Sequence, residues 1–293
     1  MRALLLAGNG FIGSRTAARL ADQGIDVTVH HCGRRPAPPS EAITELVVPR
    51  TDPPIIEFPA AASSIKVDTV IHFLCMGRED AAAFVSGFDG KAKRLVLISS
   101  CDVYRAYGRF TRLEPGPPES TPIAETAPLR CRHYPYRAGA PDPTHLHYWY
   151  EKLEAERHIA QATCSEFVIL RLPKVYGHRN DNLDTVYGFA DQPDWRWTHG
   201  HVENVAAAIA AAALHPGAAG EIFNVGELDT PTMGERLADL PQIPAPGAQA
   251  TDYDFAQDLD FQTSKIRSLL GYQDVVDERK AMRQVANQFT PSN

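Results

Sequence analysis

Tyr148 and Lys152 stand four residues apart in the run His147-Tyr148-Trp149-Tyr150-Glu151-Lys152-Leu153-Glu154-Ala155-Glu156-Arg157. Aromatics aside, nearly every residue there is a good helix former. On a helix, residues four apart project from one face and can meet. A phenol beside an ammonium can give and take a proton. The reference tyrosine pKa of about 10 must fall by roughly 3 units, or about 4 kcal/mol, for ready ionisation near neutrality. A neighbouring cation supplies part of that. Tyr150 is the rival phenol, but its partner four residues on is Glu154, which opposes ionisation. The same spacing occurs in ordinary amphipathic helices, so the pair gains meaning only from what the chain places beside it.

The second chemical signature is Gly8-Asn9-Gly10-Phe11-Ile12-Gly13. An apolar run over residues 2–7 precedes it, of the kind a buried parallel strand shows. A helical pattern over about residues 14–23 follows and is stopped by Gly24. In this strand–turn–helix context Gly8 permits a tight turn, Gly10 lets the backbone approach a pyrophosphate, and Gly13 lets helix and strand pack closely. The helix N-terminus offers free N–H groups to the anion. A plain glycine-rich turn is the bland alternative. A second strand over residues 26–30 leads to the position that reads the cofactor ribose, where an NAD-preferring site places Asp or Glu. Here the residues are His30-His31-Cys32-Gly33-Arg34-Arg35. Two arginines without a carboxylate favour a 2′-phosphate, because guanidinium forks match phosphate oxygens. The expected cofactor is therefore NADP, with NAD as the second choice; a solvated basic loop is the plain alternative for Arg34 and Arg35. No metal is expected. Adjacent strand residues such as His30 and His31 point to opposite faces, and His145/His147 and His199/His201 lack a clear carboxylate set.

Further strands are expected over residues 46–48, 68–75 and 94–100, with a weak helix over 81–88. Strands alternating with helical connectors imply a parallel sheet with helices on both faces. Ligands of such sheets lie beyond the carboxyl ends of the strands, where Ser99 and Ser100 stand. Small hydroxyls there are as often turn formers. A chain of 293 residues that is 44% hydrophobic can bury a substantial core. Its net charge of −7 argues against nucleic acid or an anionic membrane as partner. Five scattered cysteines without a C-x-x-C pair fit a reducing, cytoplasmic setting. Neither a cleavable signal pattern nor an apolar run of transmembrane length is seen, so a soluble protein is expected.

Taken together, the motifs resemble those of the extended short-chain dehydrogenases/reductases, the NAD(P)-dependent epimerase/dehydratase group. The matching pieces are the glycine motif, Asp68-Thr69-Val70-Ile71-His72, Ile98-Ser99-Ser100-Cys101-Asp102-Val103-Tyr104, Tyr148 to Lys152, Leu170-Arg171-Leu172-Pro173-Lys174-Val175-Tyr176-Gly177, His201-Val202-Glu203-Asn204-Val205 and Gly220-Glu221-Ile222-Phe223-Asn224-Val225-Gly226. The resemblance implies a Rossmann-like doubly wound parallel α/β sheet. It divides the chain into a cofactor domain (residues 1–172 and 201–226) and a small C-terminal substrate-binding subdomain (173–200 and 227–293). It makes Ser100 the residue that holds the reacting oxygen, Tyr148 the acid/base, and Lys152 the holder of the nicotinamide ribose. It places Gly8, Gly10, Phe11, Ile12, Gly13, His31, Arg34, Arg35, Asp52, Leu74, Ser99 and Leu172 with Tyr148 and Lys152 around the cofactor, and it suggests a homodimer acting on a small molecule.

Three departures stand out. Ala7 replaces the first glycine of the family's T-G-x-x-G-x-x-G, the acid after the second strand is missing, and Lys174 stands where many sugar-nucleotide members have a substrate-contacting asparagine. Ser100-Cys101-Asp102 also lacks the Asp-Glu pair that dehydratases of this group carry. A long Pro-rich connector over residues 105–143, rich in aromatics and arginine, is expected as an ordered lid or pocket wall. The brief segment 178–197, with Asp181, Asp184, Asp191 and Asp194, suggests a compact substrate without a nucleotide handle, bearing a carboxylate or phosphate near Lys174. Helices over 202–215, 263–271 and 277–288 and a Pro-rich linker over 241–247 complete the reading. The function expected is hydride transfer at a C–OH or C=O carbon; a non-catalytic or RNA-associated NADP-binding regulatory protein is the alternative.

Overall fold

The computed structural model describes residues 1–33, 37–38, 40–49, 52–178, 183–242 and 252–287. Among the described residues nine strands appear in chain order: β1 Arg2–Leu6, β2 Asp26–His31, β3 Ile43–Val47, β4 Thr69–His72, β5 Arg94–Ser100, β6 Glu166–Leu172, β7 Lys174–Tyr176, β8 His199–His201 and β9 Glu221–Asn224. Seven form one sheet in the order β3-β2-β1-β4-β5-β6-β9, and β7 pairs with β8 separately. Every pairing among β1 to β5 is parallel. Leu4, Leu5 and Leu6 in β1 and Val70 and Ile71 in β4 are fully buried, as continuous apolar runs in a sheet covered on both faces must be. The order runs outward from β1 in both directions, the doubly wound arrangement expected.

Element boundaries move for identifiable reasons. The third strand is Ile43–Val47 rather than residues 46–48. It is an edge strand with Thr44 and Glu45 exposed, so hydrophobicity marks it poorly; its register with β2 (Val27 against Ile43) sets its extent. The fourth strand stops at His72, not 75. The helix expected from residue 81 is Arg78–Phe88. It starts early because the Asp80 carboxylate accepts the N–H groups of Met76 and Gly77 and satisfies donors that the first turn leaves open.

The chain forms two compact units: residues 1–100, 132–171 and 206–223, and residues 101–131, 172–205 and 224–293. In the first, helices Arg78–Phe88 and Lys152–Ile159 enclose Leu4, Phe84, Phe88, Leu97 and Ile159. The buried Arg94 guanidinium bonds the Glu166 carboxylate and the carbonyls of Ala212, Ala213 and His215. It thereby caps the end of helix Val202–Leu214, where unpaired carbonyls favour a cation.

In the second unit, Phe110 stacks on Trp195 and on Tyr253 with centroids 4.7 and 4.4 Å apart, and Phe189 and Phe255 close the cluster edge-on. Much of the expected connector is structured: it holds helix Arg105–Phe110 in this unit and the 3-10 turn Arg137–Gly139 in the first. Residue 123 bridges to Phe261, and Tyr104 donates to the Asn224 side chain at 2.6 Å. Helices Asp184–Gly188, Met233–Ala238, Ser264–Leu270 and Glu278–Asn287 complete the unit. Gly271 ends one of them in the left-handed conformation, φ 63°. Most of the 241–247 linker, residue 288 and Asp181 lie outside the described residues. Among the described residues no helix is long and apolar enough to cross a membrane.

Candidate active site

The glycine motif divides by what each residue is for. A Cβ on Gly8 would lie 2.5 Å from the Leu5 Cβ, and one on Gly13 would lie 2.6 Å from the Gly8 carbonyl oxygen. Both are glycine because turn, strand and helix pack there. A Cβ on Gly10 would meet only the Ala7 oxygen, at 3.9 Å, and its φ is an ordinary −74°. Among the described residues nothing requires glycine at that position, so the space it keeps open suits something that arrives from outside. Gly10 is also the N-cap of helix Phe11–Asp22, with no side-chain cap and no acid in the first turn. Phe11 and Ile12, half-buried, form that turn. A helix start with open N–H groups and open space at its cap fits a pyrophosphate, so these residues fit the dinucleotide the motif implies. Ala7 takes φ 56°, the left-handed region, where the family pattern has glycine.

At the end of β2, His31 is buried. Its Nδ1 accepts the Gly33 N–H at 3.0 Å, which puts the ring hydrogen on Nε2, 2.8 Å from Glu45 Oε2. Both ring nitrogens are therefore engaged within the protein. The acid absent from β2 has a counterpart on the neighbouring strand: Glu45 of β3, 41% exposed, sits on His31. Pairing across strands is invisible to a reading along one strand. Arg34 and Arg35 lie outside the described residues. Asp52 is exposed, Leu74 is 37% exposed in the turn after β4, and Leu172 ends β6 buried.

Ser100 is the last residue of β5, half-buried at its carboxyl end. The hydroxyl of Ser99 is committed elsewhere: it donates to Glu156 Oε1 at 2.5 Å, and Glu156 is held in turn by the buried Arg171 guanidinium. Ser99 thus serves the core with its side chain, whereas Ser100 alternates to the other face of the strand.

The expected single helix through Tyr148 and Lys152 is not formed. Helix Leu146–Trp149 ends, Tyr150 caps it with ψ 108°, and a second helix, Lys152–Ile159, begins at the N-cap Glu151, φ −153° and ψ 84°. Tyr148 and Lys152 are therefore not i,i+4 neighbours on one face. The cause is Glu151, which is fully buried. Its carboxylate accepts the N–H of Tyr134 and, at 3.2 Å, that of Leu153; its own N–H donates to the Met76 carbonyl at 2.7 Å. Gly77 makes room, since a Cβ there would come within 2.5 Å of the Trp149 oxygen.

Lys152 itself is buried, and its Nζ donates to the carbonyls of Cys75 at 2.6 Å and Ile98 at 3.0 Å. The ammonium is thus fixed just past the end of β4 and beside β5, and lies 5.5 Å from the centre of the Tyr150 ring. Burial foremost, with the Lys152 charge adding to it, pushes His72 down to about 3, so it is neutral. Tyr148 is half-buried under another cation. The Arg137 guanidinium lies over the Tyr134 ring (3.4 Å) and over the Tyr148 ring (4.7 Å) and donates to the Tyr148 carbonyl at 2.9 Å. Sequence reasoning missed Arg137, Glu151 and Gly77 in these roles; the arginine–aromatic composition of the 130–137 stretch was the one available signal.

In the second unit, Lys174 begins β7, opposite His199 of β8. Its ammonium lies 5.7 Å from the centre of the Trp197 ring. Burial lowers its pKa, and the Asp184 charge opposes that shift.

No curated protein matches the chain. Among solved structures, it is similar to the Bordetella bronchiseptica enzyme WbmG in complex with NAD and UDP, with 20% identity over 98% of this chain and 94% of that one, TM-score 0.67. It is similar to epimerase Mth375 of Methanothermobacter thermautotrophicus, with 18% identity, 99% and 92% coverage and TM-score 0.69. The Thermus thermophilus UDP-glucose 4-epimerase in complex with NAD matches at 17% identity over the whole of both chains, TM-score 0.67. At these identities the likeness is one of fold. The model of the NAD dependent epimerase/dehydratase family matches residues 3–226, from the first strand to the turn after β9. With that match across the glycine turn, the β5 end and the Tyr148–Lys152 segment, the chain belongs to the NAD dependent epimerase/dehydratase family.

Proposed function

We propose that this protein is an NAD-dependent oxidoreductase or epimerase that acts at a C–OH/C=O carbon of a sugar-type substrate. The observation that carries the reading is the Lys152 ammonium, fixed by the Cys75 and Ile98 carbonyls at the carboxyl end of the sheet, in one compact unit with Ser100 and with a glycine turn left open at Gly10. The bound nicotinamide supplies the hydride acceptor and donor. The glycine turn and the helix start hold the pyrophosphate, and Lys152 holds the ribose. Ser100 orients the reacting oxygen. Tyr148 takes the hydroxyl proton when the carbon is oxidised and returns it on reduction. The position of Lys152 beside the Tyr150 ring favours a second assignment, in which Tyr150 moves the proton.

NAD is favoured over NADP by Glu45, since a 2′-phosphate arriving at the end of β2 would meet its carboxylate. The neighbouring WbmG was solved with UDP and MoeE5 with UDP-glucuronic acid, which supports a nucleotide-linked sugar; the brief 178–197 segment supports a compact one. Calorimetric titration of the NAD-loaded protein with UDP, dTDP and GDP decides between them. Micromolar affinity, about −8 kcal/mol, places the substrate among nucleotide sugars, and no binding leaves the compact class. Absence of NAD and NADP binding would overturn the reading altogether. Cofactor binding without turnover of any sugar or carbonyl in a panel would favour the regulatory alternative.

A further inference from the structure

Tyr148 needs an anchor that its own helix does not supply. Leu146–Trp149 is a single turn, and a helix that short does not hold itself. Among the described residues the Tyr148 hydroxyl makes no hydrogen bond within the protein, so the phenol is not fixed at its own oxygen. Lys152 belongs to the next helix, beyond the break at Glu151, and its ammonium is tied to the Cys75 and Ile98 carbonyls. A cation from the connector does lie on Tyr148. Arg137 Nε donates to the Tyr148 carbonyl at 2.9 Å, and the guanidinium lies 4.7 Å from the centre of the Tyr148 ring. One side chain thus holds Tyr148 by backbone and ring at once.

Arg137 is itself held. It opens the 3-10 turn Arg137–Gly139, its backbone N–H donates to the Tyr134 carbonyl at 3.2 Å, and its guanidinium lies 3.4 Å from the centre of the Tyr134 ring. The Tyr134 N–H is fixed in turn by the buried Glu151 carboxylate, and the Tyr136 ring meets Tyr150 edge-on at 5.0 Å. The turn is therefore docked on the same segment that it orients, all within one compact unit. Among the described residues no carboxylate forms an ion pair with Arg137. Its place is set by the two tyrosines, and a planar guanidinium stacks on such rings where an ammonium cannot.

We propose that Arg137 is the positioning residue of proton transfer: it sets the Tyr148 phenol in place of the helical register that the break at Glu151 removes. This role rests on Tyr148 being the acid/base, as proposed above. A proton crosses only when the phenol oxygen stands within hydrogen-bond reach of the hydroxyl it serves, and a misplacement of about 1 Å can cost about 100-fold. Arg137 acts on that placement and leaves cofactor and substrate binding to other residues.

The test is a double-mutant cycle in turnover. The NAD-loaded protein is given UDP-glucuronate, UDP-glucose, D-glucuronate or glucose 1-phosphate, with NADH absorbance and chromatography of the sugars as readouts. Arg137→Met should lower kcat about 10- to 100-fold, with KM and NAD affinity unchanged. In the Tyr148→Phe background the same change should lower kcat no further, because no phenol proton is left to place. Arg137→Lys, which keeps a cation on the rings without the planar fork, should lose less, and it carries the cycle where the Met variant fails to fold. An unchanged kcat in Arg137→Met, a loss expressed in KM or NAD affinity, or an equal further loss on top of Tyr148→Phe would overturn the proposal; the last is what a merely structural clasp gives. Tyr148→Phe separates the two claims. Normal turnover in that variant, or no turnover of any of these sugars by the unmodified protein, defeats the function on which the role of Arg137 rests, whereas an impaired Tyr148→Phe beside an unimpaired Arg137→Met defeats that role alone.

Discussion

Glu151 places a buried carboxylate in the middle of the Tyr148–Lys152 segment, and its partners make it stay there. It accepts backbone N–H groups from Tyr134 and Leu153 and lies 3.6 Å from His133 Nδ1. Glu151→Ala would leave those donors unpaired at a cost of about 1–3 kcal/mol, measurable as a lower denaturant midpoint. The two tyrosines beside it can be separated by experiment. Tyr148→Phe should keep fold and cofactor affinity and lower turnover about 10²–10⁴-fold, the usual worth of a positioned acid/base; Tyr150→Phe should do much less. The reverse ranking in initial rates would move proton transfer to Tyr150, beside which Lys152 lies. A third residue-scale outcome concerns Glu45. Glu45→Gln removes the carboxylate from His31 and should raise NADP affinity relative to NAD in parallel titrations. An unchanged ratio would show that Glu45 does not face the cofactor.

At the scale of elements, the glycine turn gives the sharpest contrast. Gly8→Ala and Gly13→Ala drive a Cβ to 2.5 and 2.6 Å from neighbouring atoms and should destabilise the fold. Gly10→Ala meets nothing nearer than 3.9 Å and should leave thermal stability intact while lowering NAD affinity. Loss of stability without loss of affinity would mean that the turn does not cradle the cofactor. Ala7→Gly relieves a left-handed alanine worth about 1–2 kcal/mol, less the extra unfolded-chain entropy of glycine, roughly 0.5–1 kcal/mol. A gain of about 0.5–1 kcal/mol is expected from chemical denaturation.

This turn was readable because its information is local: strand, glycines and helix are adjacent in the chain. The sheet order followed for the same reason, since alternating apolar runs and helical patterns leave few topologies. The break at Glu151 was not readable. Every residue around it is an acceptable helix former, and the partners that end the helix are the 76–77 turn and Tyr134, far away in sequence. Lys152 shows the same limit. Its type and spacing mark it, but its partners Cys75 and Ile98 are 77 and 54 residues away.

For the molecule as a whole, titratable groups that are buried (His72, His199) or half-buried (His30, Glu278) set opposing limits on stability with pH. His72, His199 and His30 have pKa values pushed down, chiefly by burial, and fold as neutral rings. In the unfolded chain they take up protons below about 6.5, so the unfolded state gains protons there and stability falls as pH drops from that value toward about 3, the His72 value. Glu278 works the other way. Burial, then the Glu227 charge, raises its pKa from 4.5 to about 7, while its carboxylate accepts the Tyr176 hydroxyl at 2.6 Å, the His201 N–H and the Asn204 amide. Between pH 4.5 and 7 the folded state holds a proton that the unfolded state has released. Its contribution is complete below 4.5 and is lost as pH rises through about 7, at most about 3 kcal/mol from the size of the shift. Glu278→Gln, neutral at every pH, should remove that decline. Urea midpoints measured from about pH 5 to 8 should fall less steeply across this range in the variant than in the unmodified protein, while the acid limb set by the histidines stays. Parallel profiles for the two proteins would mean that Glu278 is ionised throughout and that its carboxylate, held by the tyrosine, amide and backbone donors, suffers no net penalty from burial.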